Sequence, residues 1–153
     1  MSSLSEFKNE PLTDFTKPEN KSAMEAALQK VQTELGRDYP LVIGGERVTG
    51  LPTFESLNPS HKSQILGRFS KGKKEHVEKA VEAAWKAFQS WKRASVDTRA
   101  GLLVKAAALM RERKHEFSAT MTYEVGKTWP EADADTAEAI DFMEFYEIGR
   151  AHV

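Results

Sequence analysis

The chain has 153 residues, the length of one ordinary domain and too short for a two-domain enzyme. Lys and Arg total 22 against 23 Asp and Glu, a formal net charge of −1, so the global positive charge of a dedicated nucleic-acid binder is absent. Cysteine is absent too, which removes disulfides, thiolate metal sites and any cysteine nucleophile.

The first residues, Met1 to Glu10, carry acids early and have no apolar core. They lack the marks of a secretory or organellar leader. The most apolar run, Gly101 to Met110, is short and contains Lys105. It does not suit a membrane span. The expectation is a soluble cytoplasmic protein with no membrane and no nucleic-acid partner.

Residues 1–20 read as an extended arm, punctuated by Pro11 and Pro18 and anchored by Phe7, Leu12 and Phe15. A first helix is expected from about Glu19 to Leu35, with Gly36 in the stop position. Tyr39 to Thr49 then carries two short β-type runs around Gly44-Gly45, a hairpin signal because paired glycines supply positive φ. Thr53 to Pro59 alternates apolar and polar residues, Asn58-Pro59-Ser60 makes a turn, and Ile65 to Ser70 returns as a strand. The middle is thus a β region of three or four short strands.

After Gly72 the period becomes 3.6. Val77, Val81, Ala84, Trp85, Phe88 and Trp91 fall on one stripe of a helix, which calls for a partner surface. Glu75–Lys79 and Glu82–Lys86 are spaced for ion pairs on its wet face. Asp97 is the expected cap of the next helix, which runs through Leu102, Leu103, Ala106, Met110, Phe117, Met121 and Val125 to an αL stop at Gly126. Pro130 sits in the first turn of a last helix, apolar almost all round near its end and so expected to be buried on more than one side. The fold class is α/β: a mostly helical segment with a small β region.

Several chemical motifs fail on spacing. Val125-Gly-Lys-Thr has Met121 where a phosphate loop needs its first glycine, and it follows a helix in place of a strand. Gly44-Gly45 lacks the dinucleotide spacing. His61, His76, His115 and His152 include no i,i+4 pair, so solvated or capping roles suit them better than zinc. Asp133-Ala-Asp135 begins like a calcium loop but has Glu138 at the turn position. Residues 128–147 hold seven carboxylates, Glu131, Asp133, Asp135, Glu138, Asp141, Glu144 and Glu147, read as a wet acidic face. Glu138 differs in having Ala134 and Phe142 as its i±4 neighbours, at the edge of the apolar stripe. A carboxylate there is desolvated unless partnered. From the residues alone, both a structural and a functional role stay open for it.

Five stretches in order carry a resemblance: Leu41-Val-Ile-Gly-Gly-Glu, Ser56-Leu-Asn-Pro-Ser, Ala83-Ala-Trp-Lys-Ala-Phe, Arg99 through Leu109, and Tyr123-Glu-Val-Gly-Lys. Over residues 39–147 they resemble the N-terminal part of the aldehyde dehydrogenase superfamily. The arm with Phe7-Lys-Asn-Glu-Pro, the early helix ending in Tyr39-Pro-Leu, and Ala137-Glu-Ala-Ile-Asp-Phe-Met-Glu-Phe-Tyr are similar to its 1-pyrroline-5-carboxylate dehydrogenase branch. The resemblance implies a small-molecule aldehyde substrate, L-glutamate γ-semialdehyde, oxidised with NAD in proline breakdown by a homo-oligomeric parent enzyme. It also implies that the catalytic cysteine, the general-base glutamate and the cofactor glycines lie downstream, so the segment alone is inactive. One site residue carries over: Glu138, whose position borders the aldehyde site. The organisation expected is an arm and helix over 1–38, the N-terminal part of the aldehyde dehydrogenase domain over 39–147, and a tail over 148–153. That tail, Ile148 to Val153, is what ATC GGA AGA GCA CAC GTC encodes, a sequence similar to a sequencing adapter, and is expected to be artefactual. The competing expectations are a sibling dehydrogenase with another aldehyde substrate and a non-catalytic α/β interaction module.

Overall fold

A computed structural model of the chain describes residues 7–148; the first residues of the expected arm and most of the expected tail lie outside the described residues. The elements in order are α1 (Pro18–Glu34), β1 (Arg37–Tyr39), β2 (Leu41–Ile43), β3 (Glu46–Val48), β4 (Thr53–Asn58), β5 (His61–Ser70), α2 (Lys74–Trp91), α3 (Val96–Glu112), α4 (Lys114–Val125) and α5 (Trp129–Ile148). They form two compact units. One holds the arm, α1 and everything from Ser95 onward; the other is Glu34–Ala94.

In the first unit, Pro18 opens α1, where its missing N–H costs nothing, and Met24 and Val31 are the turns that bury. The Tyr123 hydroxyl reaches the Leu28 carbonyl at 3.5 Å, and Lys30 pairs with Glu116 at 2.7 Å, so α4 is tied to α1. The core among α3, α4 and α5 is built from small side chains: Ala107, Ala119, Ala132 and Ser118 are wholly buried. Small residues let helix backbones approach closely. The Ser118 and Thr136 hydroxyls meet at 3.0 Å, and each also lies within reach of a carbonyl of its own helix, so one donates across the contact while the other donates to its carbonyl and both buried groups are satisfied.

Two expectations about this unit are corrected. Ser95, not Asp97, is the N-cap of α3: its hydroxyl accepts from the Thr98 N–H at 3.1 Å, and Asp97 falls inside the first turn. The helix expected from Asp97 to Val125 is two helices, broken at Arg113, whose backbone leaves the helical region (φ −106°, ψ 22°). No Gly or Pro marks the break. The new direction buries Lys114 and brings its ammonium within 2.7 Å of the Pro11 carbonyl. The break thus coincides with a hydrogen bond to a residue 103 positions away in sequence.

The second unit holds a three-stranded sheet in the order β1-β5-β4, with β1 parallel and β4 antiparallel to β5, and the separate hairpin β2-β3. Gly44 and Gly45 take φ of 60° and 91°, the two positive angles of a two-residue hairpin turn. Gly67 is dictated by close approach: a Cβ there would lie 2.7 Å from the Tyr39 ring, which stacks on Phe69 at 4.8 Å. β5 begins at His61, earlier than the Ile65 expected, because Asn58 closes the turn by accepting from the Ser60 N–H and donating to Gln64. Among the described residues the strands number five where three or four were expected.

The stripe of α2 is not buried within this unit. Trp85 is 61% exposed and Phe88 43%, and they line an open groove of about 340 Å³ with Val81 and Ala84. The helix turns a different side to the hairpin, with Ala83 3.5 Å from the Cβ position of Gly44. Its ion pair among the described residues is Lys74–Glu78. Nor is the far end of α5 enclosed: Phe142, Phe145 and Tyr146 are each more than half exposed. The burial expected for both stripes has no surface here to provide it.

Candidate functional site

The acidic helix α5 concentrates the chemistry. Its start is set by Thr128, whose N–H and hydroxyl both donate to the Glu131 carboxylate, at 3.1 and 2.8 Å. Those two hydrogen bonds hold the Glu131 carboxyl below the usual carboxylate range. Gly126, at φ 70°, closes α4, and Lys127 is tied to Asp135, so the Val125-Gly-Lys-Thr segment is a helix-to-helix joint.

Asp133 is the most enclosed member. It is 1% exposed and accepts the Thr13 N–H at 2.7 Å, the Thr13 hydroxyl at 2.6 Å and the Lys114 ammonium at 3.2 Å. A buried carboxylate is tolerated when it is paired and saturated with donors in this way. Asp141 accepts the Glu10 N–H at 2.6 Å and the Asn9 amide at 2.8 Å. Glu144 shares Arg111 with Glu10, at 2.7 and 2.6 Å, and these two charge-assisted bonds raise the guanidinium's affinity for its proton. The wet acidic face expected from sequence is therefore in part a docking face for the N-terminal arm, through Asp133 and Asp141. Sequence reasoning missed Asp133 and Asp141 in this role. The available sign was their phase: with Ala137 between them they recur at four-residue steps, beside the apolar Ile140.

Glu138 stands apart. It is exposed, and among the described residues it has no hydrogen-bond or ion-pair partner. The desolvation anticipated from its apolar neighbours is not met within this chain. Of the carboxylates whose side chains are described on α5, it alone has no structural work. Beside it, Asp135, Thr136 and Ala139 form one wall of a groove of about 270 Å³, completed by Met110, Phe117 and Met121.

The described residues do not make a dinucleotide site by themselves. The sheet has a single parallel contact, β1–β5, and the following strand-to-helix junction is closed by His76, whose Nδ1 accepts the Lys73 N–H at 2.9 Å. The described residues also contain no cluster of acids and histidines able to hold a metal ion, and no helix long and apolar enough to cross a membrane.

Comparison with known proteins places the chain. The aldehyde dehydrogenase family model matches residues 47–151. A 1-pyrroline-5-carboxylate dehydrogenase of Geobacillus sp. (strain WCH70) is 57% identical over 140 residues, covering 92% of this chain and 27% of that protein. A Thermus 1-pyrroline-5-carboxylate dehydrogenase with bound NAD superposes with a TM-score of 0.90 at 52% identity, over 95% of this chain and 28% of the other. The Δ-pyrroline-5-carboxylate dehydrogenase of Mycobacterium tuberculosis gives 0.88 at 25% identity, over 99% of this chain and 29% of that one. The chain spans little more than a quarter of the length of the relatives it matches. The order of short strands and helices, the acidic helix α5 and the family match over more than half of its residues converge: the chain belongs to the aldehyde dehydrogenase family.

Proposed function

We propose that this chain is the N-terminal part of an NAD-dependent dehydrogenase that oxidises L-glutamate γ-semialdehyde, the open form of 1-pyrroline-5-carboxylate, to glutamate. The observation that carries the reading is 57% identity over 92% of the chain to a protein of that activity. NAD accepts the hydride in such a reaction. The acyl-forming nucleophile must come from elsewhere in the enzyme, since no cysteine is present here.

The contribution of this segment is positional. α5 presents Glu138 as an exposed carboxylate with no internal partner, free to accept a charge-assisted hydrogen bond from the substrate or from the catalytic loop. The enzyme as a whole is a cytoplasmic homo-oligomer in this reading, and residues 39–147 are the start of its dehydrogenase domain.

The test is NADH formation. The 153-residue chain should give none with NAD and glutamate semialdehyde, whereas the complete gene product should, and should prefer this substrate to a simple aliphatic aldehyde. Turnover by the 153-residue chain, or a complete product selective for another aldehyde, would refute the proposal.

A further inference from the structure

Asp133 and Asp141 are eight residues apart on α5, and both are engaged by one short stretch of the arm. Glu10 and Asn9 donate to Asp141; Thr13 donates twice to Asp133. The arm therefore runs antiparallel to the helix. Helical geometry sets the two aspartates about 12 Å apart along the axis and about 80° apart around it. Three residues of extended chain reach about 10 Å, so the arm lies nearly straight between its anchors. Its register is specified. Slipping it by one residue toward its N-terminus would bring Pro11, which has no N–H, to Asp141. Slipping it the other way would take the Thr13 hydroxyl from Asp133. Lys114 fixes the middle of the stretch through the Pro11 carbonyl at 2.7 Å, and Arg111 holds Glu10 from α3.

Along the axis Glu138 lies between the anchors, about 7.5 Å from Asp133; around the helix it stands about 60° beyond Asp141, on the side the core leaves open. One anchor would let the helix turn about that point; two anchors fix both its rotation and its height. We propose that Asn9–Thr13 is a two-point clamp on α5 that positions Glu138 for the aldehyde site, making Asp141 a positioning residue for the reaction. This rests on the role assigned to Glu138 above.

The experiment is a double-mutant cycle in the complete enzyme, with Asp141→Ala and Glu138→Gln alone and together, read as kcat, KM and thermal midpoint. Asp141 is chosen because losing Asp133 would strand the buried Lys114. Misplacing Glu138 should lower kcat/KM about tenfold in Asp141→Ala, mainly in kcat, with the melting temperature little changed. The same substitution should then cost nothing further in the Glu138→Gln background. Asp141→Asn, which keeps an acceptor for the Glu10 N–H, should recover much of the loss and serves as the reading should Asp141→Ala fail to fold. Equal losses in both backgrounds, or no loss from either Asp141 variant, would overturn the clamp. A Glu138→Gln enzyme with unaltered kinetics would instead overturn the role of Glu138, whatever Asp141 does.

Discussion

Glu116 shows how single side chains set the response of the first unit to acid. Arg113 and then Lys30 hydrogen-bond its carboxylate and lower its pKa to about 2 from 4.5. A depressed value in the folded state stabilises above the unfolded pKa, so the contribution is complete above about pH 4.5 and disappears as pH falls toward 2. Both cations are more than half exposed, which screens the pair and limits it to about 1 kcal/mol. Glu116→Gln should lower the melting temperature at neutral pH, and the gap from wild type should close as the pH approaches 2. A gap that persists undiminished there would mean that the glutamine perturbs packing in place of charge. At this scale the sequence was partly legible. The αL stop at Gly126 and the turn at Gly44-Gly45 follow from glycine's freedom at positive φ. The buried Asp133–Lys114 pair does not, because the donors that make it tolerable come from an arm 120 residues away.

Elements were legible where their cause is local. The 3.6 period over Val77 to Trp91 locates α2, and the glycine pair locates the β2-β3 hairpin. The break at Arg113 has no local cause. Arg-Glu-Arg-Lys favours helix throughout, and the interruption sits where Lys114 reaches the arm. The stripes of α2 and the far end of α5 make the converse point. Amphipathicity reports that a helix face needs a cover, not that the chain in hand supplies one. Trp85 and Phe88 touch edge to face at 5.7 Å beside an open groove, and Phe145 remains 56% exposed although Phe7 packs on it. Contiguous exposed aromatic surface of this kind drives association. The purified 153-residue chain should elute from a sizing column as concentration-dependent oligomers, and Trp85→Lys with Phe88→Ser should shift it toward monomer. A monomeric wild-type profile at all concentrations would contradict this.

For the whole molecule, well-formed helices and a tightly anchored arm stand beside large aromatic faces left open and an acidic helix with one exposed carboxylate, in a chain that spans little more than a quarter of the length of its relatives. The fold class could be read from the sequence because patterning and turn chemistry are written along the chain. The candidate site could be read only as one position, Glu138, because the arrangement around it depends on contacts between distant segments. In the function proposed above, α5 carries Glu138 to the aldehyde site, held by structure but not needed for it. The most direct test is Glu138→Gln in the complete enzyme, with kcat/KM for glutamate semialdehyde and the thermal midpoint measured on the same preparation. The expected result is a loss of about tenfold in kcat/KM, equivalent to roughly 1.4 kcal/mol of transition-state stabilisation, at an unchanged melting temperature. Wild-type kinetics, or a large drop in melting temperature with kinetics intact, would contradict it.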